Sequence, residues 1–220
     1  MKNRNSIIAI PFIILGLLIF FACASNKKVS DAGNTEAGSF TDSRDGKEYK
    51  TVKIADQWIM AENLAYKPDS GNFWAYENND SNLLIYGYLY DWEAAMNIAP
   101  VGWHLPSGKE WKAVRKSLGV KSNIWPGMEK IYPMLIVGGS SGLDMLFGGM
   151  RSCDGEFKYL GDKAIFWNSD NSGSEKTIYG LDSNKDGEPH GLKGRTAPYE
   201  YANEYQKRCR GYSVRLFKDK

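Results

Sequence analysis

Along residues 107–119 the apolar positions Trp111, Ala113, Val114 and Leu118 recur at helical spacing, while Lys109, Lys112, Arg115 and Lys116 take the other face. Ser107 is placed to accept from first-turn amides, and Glu110, three residues on, to reach back to the Ser107 amide, which is the capping-box spacing. The pattern predicts a helix that follows the aromatic and apolar run 102–106, closes at Gly119 and buries one side with Trp111 as its largest anchor. Residues 49–54 set Tyr49, Val52 and Ile54 between lysines, Ala55-Asp56 reads as a turn, and 57–60 resume, which predicts a β-hairpin. Residues 211–217 alternate again, with Tyr212, Val214 and Leu216 on one face, and predict a closing strand that pairs near the first. Residues 83–96 are aromatic and then helical, with Asp91 as N-cap of the first helix. The short apolar runs 132–137, 164–167 and 176–181 read as further strands.

The N-terminal end follows a different logic. Lys2 and Arg4 precede an apolar run of sixteen residues, 7–22, and then Cys23. Such a run is too short for a membrane span and has the layout of a secretory signal, 1–22. The ending Phe20-Phe21-Ala22-Cys23 resembles a bacterial lipobox, in which Cys23 is lipidated after cleavage; an ordinary signal peptide or an uncleaved anchor is the alternative. Either way the rest of the chain is expected to be exported, anchored through Cys23 in the cell envelope. Residues 23–40 offer almost nothing to bury and are expected to form a flexible tether, leaving about 180 residues, 41–220, for one domain.

Cleavage removes two basic residues and no acidic one, so 28 − 2 = 26 basic residues face 26 acidic ones. A neutral chain has no electrostatic footprint for nucleic acid. Beyond the pair Lys27-Lys28 it has no polybasic run for an anionic membrane either. With 13% aromatic residues and 23 glycines, the core is expected to be held by tryptophan and tyrosine across long connections.

Several blocks in order carry a family resemblance: Asp42 through Ile54, Gln57-Trp58 with Met60-Ala61-Glu62-Asn63-Leu64, Tyr86-Gly87-Tyr88-Leu89-Tyr90-Asp91-Trp92, and Gly102-Trp103-His104-Leu105-Pro106-Ser107 with Glu110-Trp111. Further on come Gly148-Gly149-Met150-Arg151, Phe166-Trp167-Asn168-Ser169 and Gly211-Tyr212-Ser213-Val214-Arg215. Together they strongly resemble the Fibrobacter succinogenes major paralogous domain across nearly all of residues 41–220. That resemblance implies an α+β, C-type lectin-like fold with paired terminal strands, two helices and long irregular loops. It also implies an exported protein, often a lipoprotein, of a family whose activity is not established, so it speaks to fold more than to function. Family members usually carry cysteines just before the Gly-Trp-His-Leu-Pro block and after Ser-Val-Arg; here Ala99-Pro100 and Leu216 stand there. The remaining Cys153 and Cys209 are candidates for a disulfide in an oxidising compartment, although spacing alone does not place two thiols within bonding distance.

Candidate chemistry is sparse. Asp182, Asn184 and Asp186, with Gly187 and Glu188, match the first half of a calcium loop, but Lys193 stands where a bidentate acid is needed, so a polar Asp-Gly turn is the better reading and calcium the alternative. Glu188-Pro189-His190 and Trp167-Asn168-Ser169-Asp170 look like the sugar-binding motifs of calcium-dependent lectins in reversed order, and no sugar site is carried over from them. Ser140 within Gly138-Gly139-Ser140-Ser141-Gly142, followed by His190, formally matches a hydrolase elbow, yet no helix follows it. His104, between Trp103 and Leu105, reads as a structural histidine. Trp74, Tyr76, Trp125, Tyr199 and Tyr201 lie in polar or glycine-containing stretches, where flat rings stack on sugars or anchor protein interfaces. The expectation is a noncatalytic binding or envelope-interaction module with a glycan or protein ligand and no cofactor; a hydrolase or other enzyme built in the long loops is the alternative.

Overall fold

The structure, a computed structural model, describes residues 35–120, 128–170, 179–182 and 204–220. Its main sheet has the order β1-β2-β3-β11-β6, from β1 (Thr35–Thr41), β2 (Glu48–Ile54), β3 (Gln57–Met60), β11 (Phe217–Lys218) and β6 (Trp103–His104), all neighbours antiparallel. The β2–β3 hairpin turns at Ala55-Asp56, pairing Ile54 with Gln57. The chain's last strand sits between β3 and β6, with Phe217 opposite both Ile59 and His104, so the two ends of the domain share one sheet.

Three two-stranded ladders surround it: β4 (Phe73–Ala75) with β5 (Tyr88–Tyr90), β7 (Gly148–Arg151) with β8 (Phe157–Leu160), and β9 (Lys163–Phe166) with β10 (Tyr179–Asp182). The helices are short: α1 (Asp80–Tyr86), α2 (Trp92–Asn97), α3 (Gly108–Ser117), α4 (Met128–Leu135) and α5 (Glu204–Cys209). The architecture is α+β with antiparallel sheets and few helices.

Alternate residues of the main sheet divide between two apolar clusters. Val52, Ile54, Ile59 and Phe217 join Trp111, Val114 and Leu118 of α3. Tyr49 and Met60 join Tyr90, Trp103, Trp167 and Tyr212, together with Val214 and Leu216 just before β11. The period-two alternation of a pleated strand puts neighbouring side chains on opposite faces, so both faces of this sheet are covered.

Four expectations need correction. Residues 35–40, read as tether, form most of β1; all seven β1 residues pair with β2, so backbone hydrogen bonds hold a strand whose side chains are mostly exposed. Its anchors are Phe40, whose ring lies 4.5 Å from that of Trp103, and Gly38, where a Cβ would meet the Trp58 ring at 2.9 Å. The helix capped by Asp91 is the second, α2, and not the first: α1 precedes it, the chain turns at Gly87 and residues 88–90 pair with β4. Two helices become five among the described residues. Residues 132–135 are helical rather than extended, since Ile131 and Leu135, four apart, are both buried on one face of α4.

α3 carries the capping box read from its sequence. Ser107 Oγ accepts from the Glu110 amide at 3.3 Å and Glu110 Oε2 accepts from the Ser107 amide at 2.8 Å. Asp91 caps α2, with Oδ1 accepting from the Ala94 amide at 2.8 Å and Oδ2 from the Asn72 amide at 2.9 Å and Nδ2 at 2.7 Å.

Candidate functional site

The blocks that carry the family pattern converge inside the fold. Asn63 donates from Nδ2 to Tyr86 O at 2.9 Å and accepts at Oδ1 from Arg215 Nε at 2.9 Å. Trp167 Nε1 donates to Tyr90 O at 2.6 Å, and its ring meets that of Tyr212 edge-on at 4.6 Å. Gly211, Tyr212 and Ser213 bridge to Arg151, Tyr90 and Phe166. Tyr212 through Arg215 are all buried. These residues hold three ladders and the main sheet together, so the pattern that identifies the chain is a scaffold.

His104 also works as a clasp. Nε2 lies 2.8 Å from Glu110 Oε1 and Nδ1 lies 2.7 Å from Asp219 Oδ1, tying β6 to the first turn of α3 and to the residue after β11. Both ring nitrogens face carboxylates, so the doubly protonated ring satisfies both bonds as donor. Burial alone would lower the His104 pKa, but the two carboxylates outweigh it and hold it above its ordinary value. A raised folded pKa stabilises the native state fully below the unfolded value of about 6.5, and that stabilisation is lost as pH rises through the folded value. Between about pH 6 and pH 8 the denaturant midpoint is expected to fall in the native chain and to fall less in His104→Gln; equal slopes would show that the clasp does not titrate.

The predicted binding aromatics fare differently from one another. Tyr76 is buried, its ring 5.2 Å from that of Phe157, so it packs within the fold and presents no surface. Trp74 is half-buried, with the Arg151 guanidinium 4.3 Å from its ring centre and Gly211 against its edge. Trp125, Tyr199 and Tyr201 lie outside the described residues, as do Cys23, Asn184, Asp186, Glu188 and His190. Of the calcium-loop residues only Asp182 is reached, as the last residue of β10, paired with Lys163. Ser140 is exposed in a turn that leads to the isolated bridge Ile136–Met145 and then to β7, so the strand–turn–helix of a hydrolase elbow is absent at this position. Among the described residues no group of three His, Cys, Asp or Glu is arranged to hold a metal, and no helix is long and apolar enough to cross a membrane. Cys153, in the β7–β8 turn, and Cys209, at the end of α5, are joined in a disulfide with Cα atoms 4.7 Å apart.

A site that the sequence did not single out lies beside α2. Arg44, Tyr66, Asp69, Ser70, Asn97 and Ile98, with Pro68 and Ala94, line a cleft of about 190 Å³. Asp42, fully buried, accepts from Arg44 Nε at 2.9 Å and Nη2 at 2.6 Å, while Nη1 donates to Ile98 O at 2.6 Å. Three of the five guanidinium N–H donors are engaged, which leaves one on each Nη. Burial works against the Asp42 charge, but Arg44 beside it outweighs that and holds its carboxyl below the usual range. The Arg44 carbon of that group stands 3.7 Å from the Tyr66 ring centre, so a rigid guanidinium lies stacked on an aromatic ring.

The far wall is set by backbone. Gly71, at φ +77°, lies so close to α2 that a Cβ would meet the Ala94 amide nitrogen at 2.7 Å, which presses the 66–71 loop onto the helix and leaves Asp69 and Ser70 exposed at the rim. Tyr66 is fixed from behind, its carbonyl accepting from Tyr90 Oη at 2.7 Å. A faint signal for the site exists in the sequence, an aromatic residue leading the Pro- and Gly-containing loop Tyr66-Lys67-Pro68-Asp69-Ser70-Gly71. Its partner Arg44 is twenty-two positions away in a different turn, 66 − 44 = 22.

No curated protein and no solved structure matches the chain. The family comparison does: with residues 52–218 matching the Fibrobacter succinogenes major domain, which spans the converging blocks from β2 to the closing strand, the chain belongs to that family.

Proposed function

We propose that this protein is an exported, lipid-anchored, noncatalytic binding module of C-type lectin-like fold, and that its ligand is a glycan held at the Arg44–Tyr66 cleft. The observation that carries this reading is the stacked guanidinium and phenol ring walling a small cleft rimmed by Asp69, Ser70 and Asn97. A sugar presents apolar C–H faces ringed by hydroxyls. The cleft offers the matching pieces: flat and apolar surface from Tyr66, Pro68 and Ala94, and hydrogen-bonding groups from Arg44, Asp69, Ser70 and Asn97. At about 190 Å³ it is smaller than the roughly 300–1,000 Å³ of sites that enclose a whole small molecule, which suits one unit of a longer chain. The Arg44 geometry is already in place, held by Asp42 and the Ile98 carbonyl, so little ordering cost falls on binding.

The test is calorimetric titration of the chain with a panel of polysaccharides and envelope glycans, in calcium and in chelator. Saturable binding is expected in both conditions, and Tyr66→Ala is expected to weaken it by at least about tenfold, the loss of a central aromatic contact. Tyr66 is half-buried and supports Tyr90 through its backbone carbonyl, which the substitution keeps. Binding that survives Tyr66→Ala would move the ligand off this cleft, and an absence of binding to every glycan would turn the reading toward a protein ligand.

A further inference from the structure

The tether enters the domain at a defined place. Thr35, the first residue of β1, stands opposite Ile54, the last of β2, so the chain arrives beside the Ala55-Asp56 turn. That turn is one wall of a cleft of about 230 Å³ whose other walls are Ala113 and Ser117 of α3 and Lys220. Tether entry, α3 and the C-terminal residues are therefore neighbours. Arg44 follows the other end of β1, about 20 Å further along the strand at some 3.4 Å per residue.

Beside this entry α3 carries a row of lysines. Lys109, Lys112 and Lys116, spaced by three and four, share the face of α3 opposite the buried Trp111, Val114 and Leu118, and all three are exposed. Lys220 is exposed and lines the same cleft as Ala113 and Ser117 of α3. None of these four lysines has an acidic partner among the described residues. The acids near them are Asp56 in the turn, Asp170, whose Oδ2 accepts from the Gly108 amide at 3.0 Å, and Glu110 and Asp219, both held by His104. The positive face is a matter of placement, since the chain after cleavage has as many acids as bases.

We infer that the Lys109–Lys112–Lys116 face of α3, with Lys220, docks on the anionic lipid headgroups of the membrane that carries Cys23. The inference rests on the lipid anchor proposed above. From Cys23 to Thr35 is twelve residue steps, 35 − 23 = 12, at most about 43 Å when fully extended. Surface charges are screened beyond about 8–10 Å, so the lysines nearest the entry are the ones a bilayer can feel. Each lysine brought to such a surface strengthens binding by about fivefold, and the Arg44 cleft is then carried away from the bilayer, toward its ligand.

The probe is a vesicle. The full chain carrying Cys23→Ser, which removes the lipid, is sedimented with phosphatidylcholine vesicles and with equimolar phosphatidylcholine and phosphatidylglycerol. Binding is expected only to the second kind, to fade with salt, and to drop about 25-fold in Lys112→Gln/Lys116→Gln. Lys50→Gln/Lys67→Gln, which removes the same charge from exposed positions elsewhere, is expected to keep binding within about twofold; near-ultraviolet circular dichroism checks that both variants are folded. Equal losses in the two double variants, or equal binding to neutral vesicles, overturn the inference, as does binding to nucleic acid or an acidic polysaccharide in place of the vesicles. The mass of the N-terminal peptide from the native chain reports separately whether Cys23 bears lipid, so a failed anchor is told apart from a failed surface.

Discussion

Arg215→Met is expected to destabilise the fold by about 3–5 kcal/mol, a large share of the roughly 5–15 kcal/mol by which a domain of this size is stable. Arg215 is fully buried, and no carboxylate touches it. Its guanidinium donates to Asn63 Oδ1 at 2.9 Å, Met60 O at 3.4 Å, Asp144 O at 2.7 Å and Leu143 O. Burial pushes its pKa down to about 9, which still leaves it charged at neutral pH. The cation thus bolts the turn around residues 143–144 to β3 and to Asn63. Methionine fills much of the volume but leaves the buried Asn63 Oδ1, Met60 O and Leu143 O without this donor, each costing about 1–3 kcal/mol when it cannot reach water, while the part-buried Asp144 carbonyl costs less. Arg215→Lys keeps the charge without the planar fork and is expected to fall between the two. Urea denaturation gives the ranking, and limited proteolysis should cut residues 138–147 first in the methionine variant. A loss below about 1 kcal/mol would mean that water takes over the four oxygens, and the bolt would not be needed.

Trp111→Ala is expected to cost about 3–5 kcal/mol for a different reason. The indole is fully buried on α3, 4.9 Å from the Phe217 ring in edge-on contact and 6.1 Å from that of Phe166. It is where the helix, the closing strand and β9 meet. Removing it opens an apolar cavity in well-packed surroundings, whereas Trp111→Phe retains a ring and is expected to lose about half as much. Added indole should restore part of the alanine variant's denaturation midpoint, because a dry apolar cavity accepts an apolar guest of its own shape. The same additive should do nothing for Arg215→Met. Rescue of both, or of neither, would contradict the assignment of one loss to a cavity and the other to unpaired oxygens.

The two residues show how unevenly the fold could be read. Trp111 was visible as an anchor because helical spacing is a local property: its apolar neighbours recur within one segment, and the capping box around Ser107 and Glu110 marks where that segment starts. Asp91 and the β2–β3 hairpin were legible on the same terms. Arg215 was recognisable only as part of a family block, and its role depends on carbonyls more than seventy residues away in sequence. β1 was missed because a strand held by backbone pairing leaves no apolar signature. Residues 132–135 were misread because a short continuous apolar run has no period of its own, and burial of Ile131 with Leu135 decided for helix.

The candidate sites divide along the same line. Trp74 and Tyr76 drew notice for their polar surroundings in sequence, yet chain folding put Arg151 and Gly211 against one and Phe157 against the other. Tyr66 drew none, and became the wall of a cleft when the turn at Arg44 and the end of α2 closed around it. By itself the sequence determined the family, the α3 helix with its cap, the hairpin and the N-cap of α2, since each is written in residues that are neighbours along the chain. Only the tertiary structure decided the Arg44–Tyr66 cleft, the His104 clasp and the gathering of lysines beside the start of β1, because each joins residues that have no relation until the sheet closes.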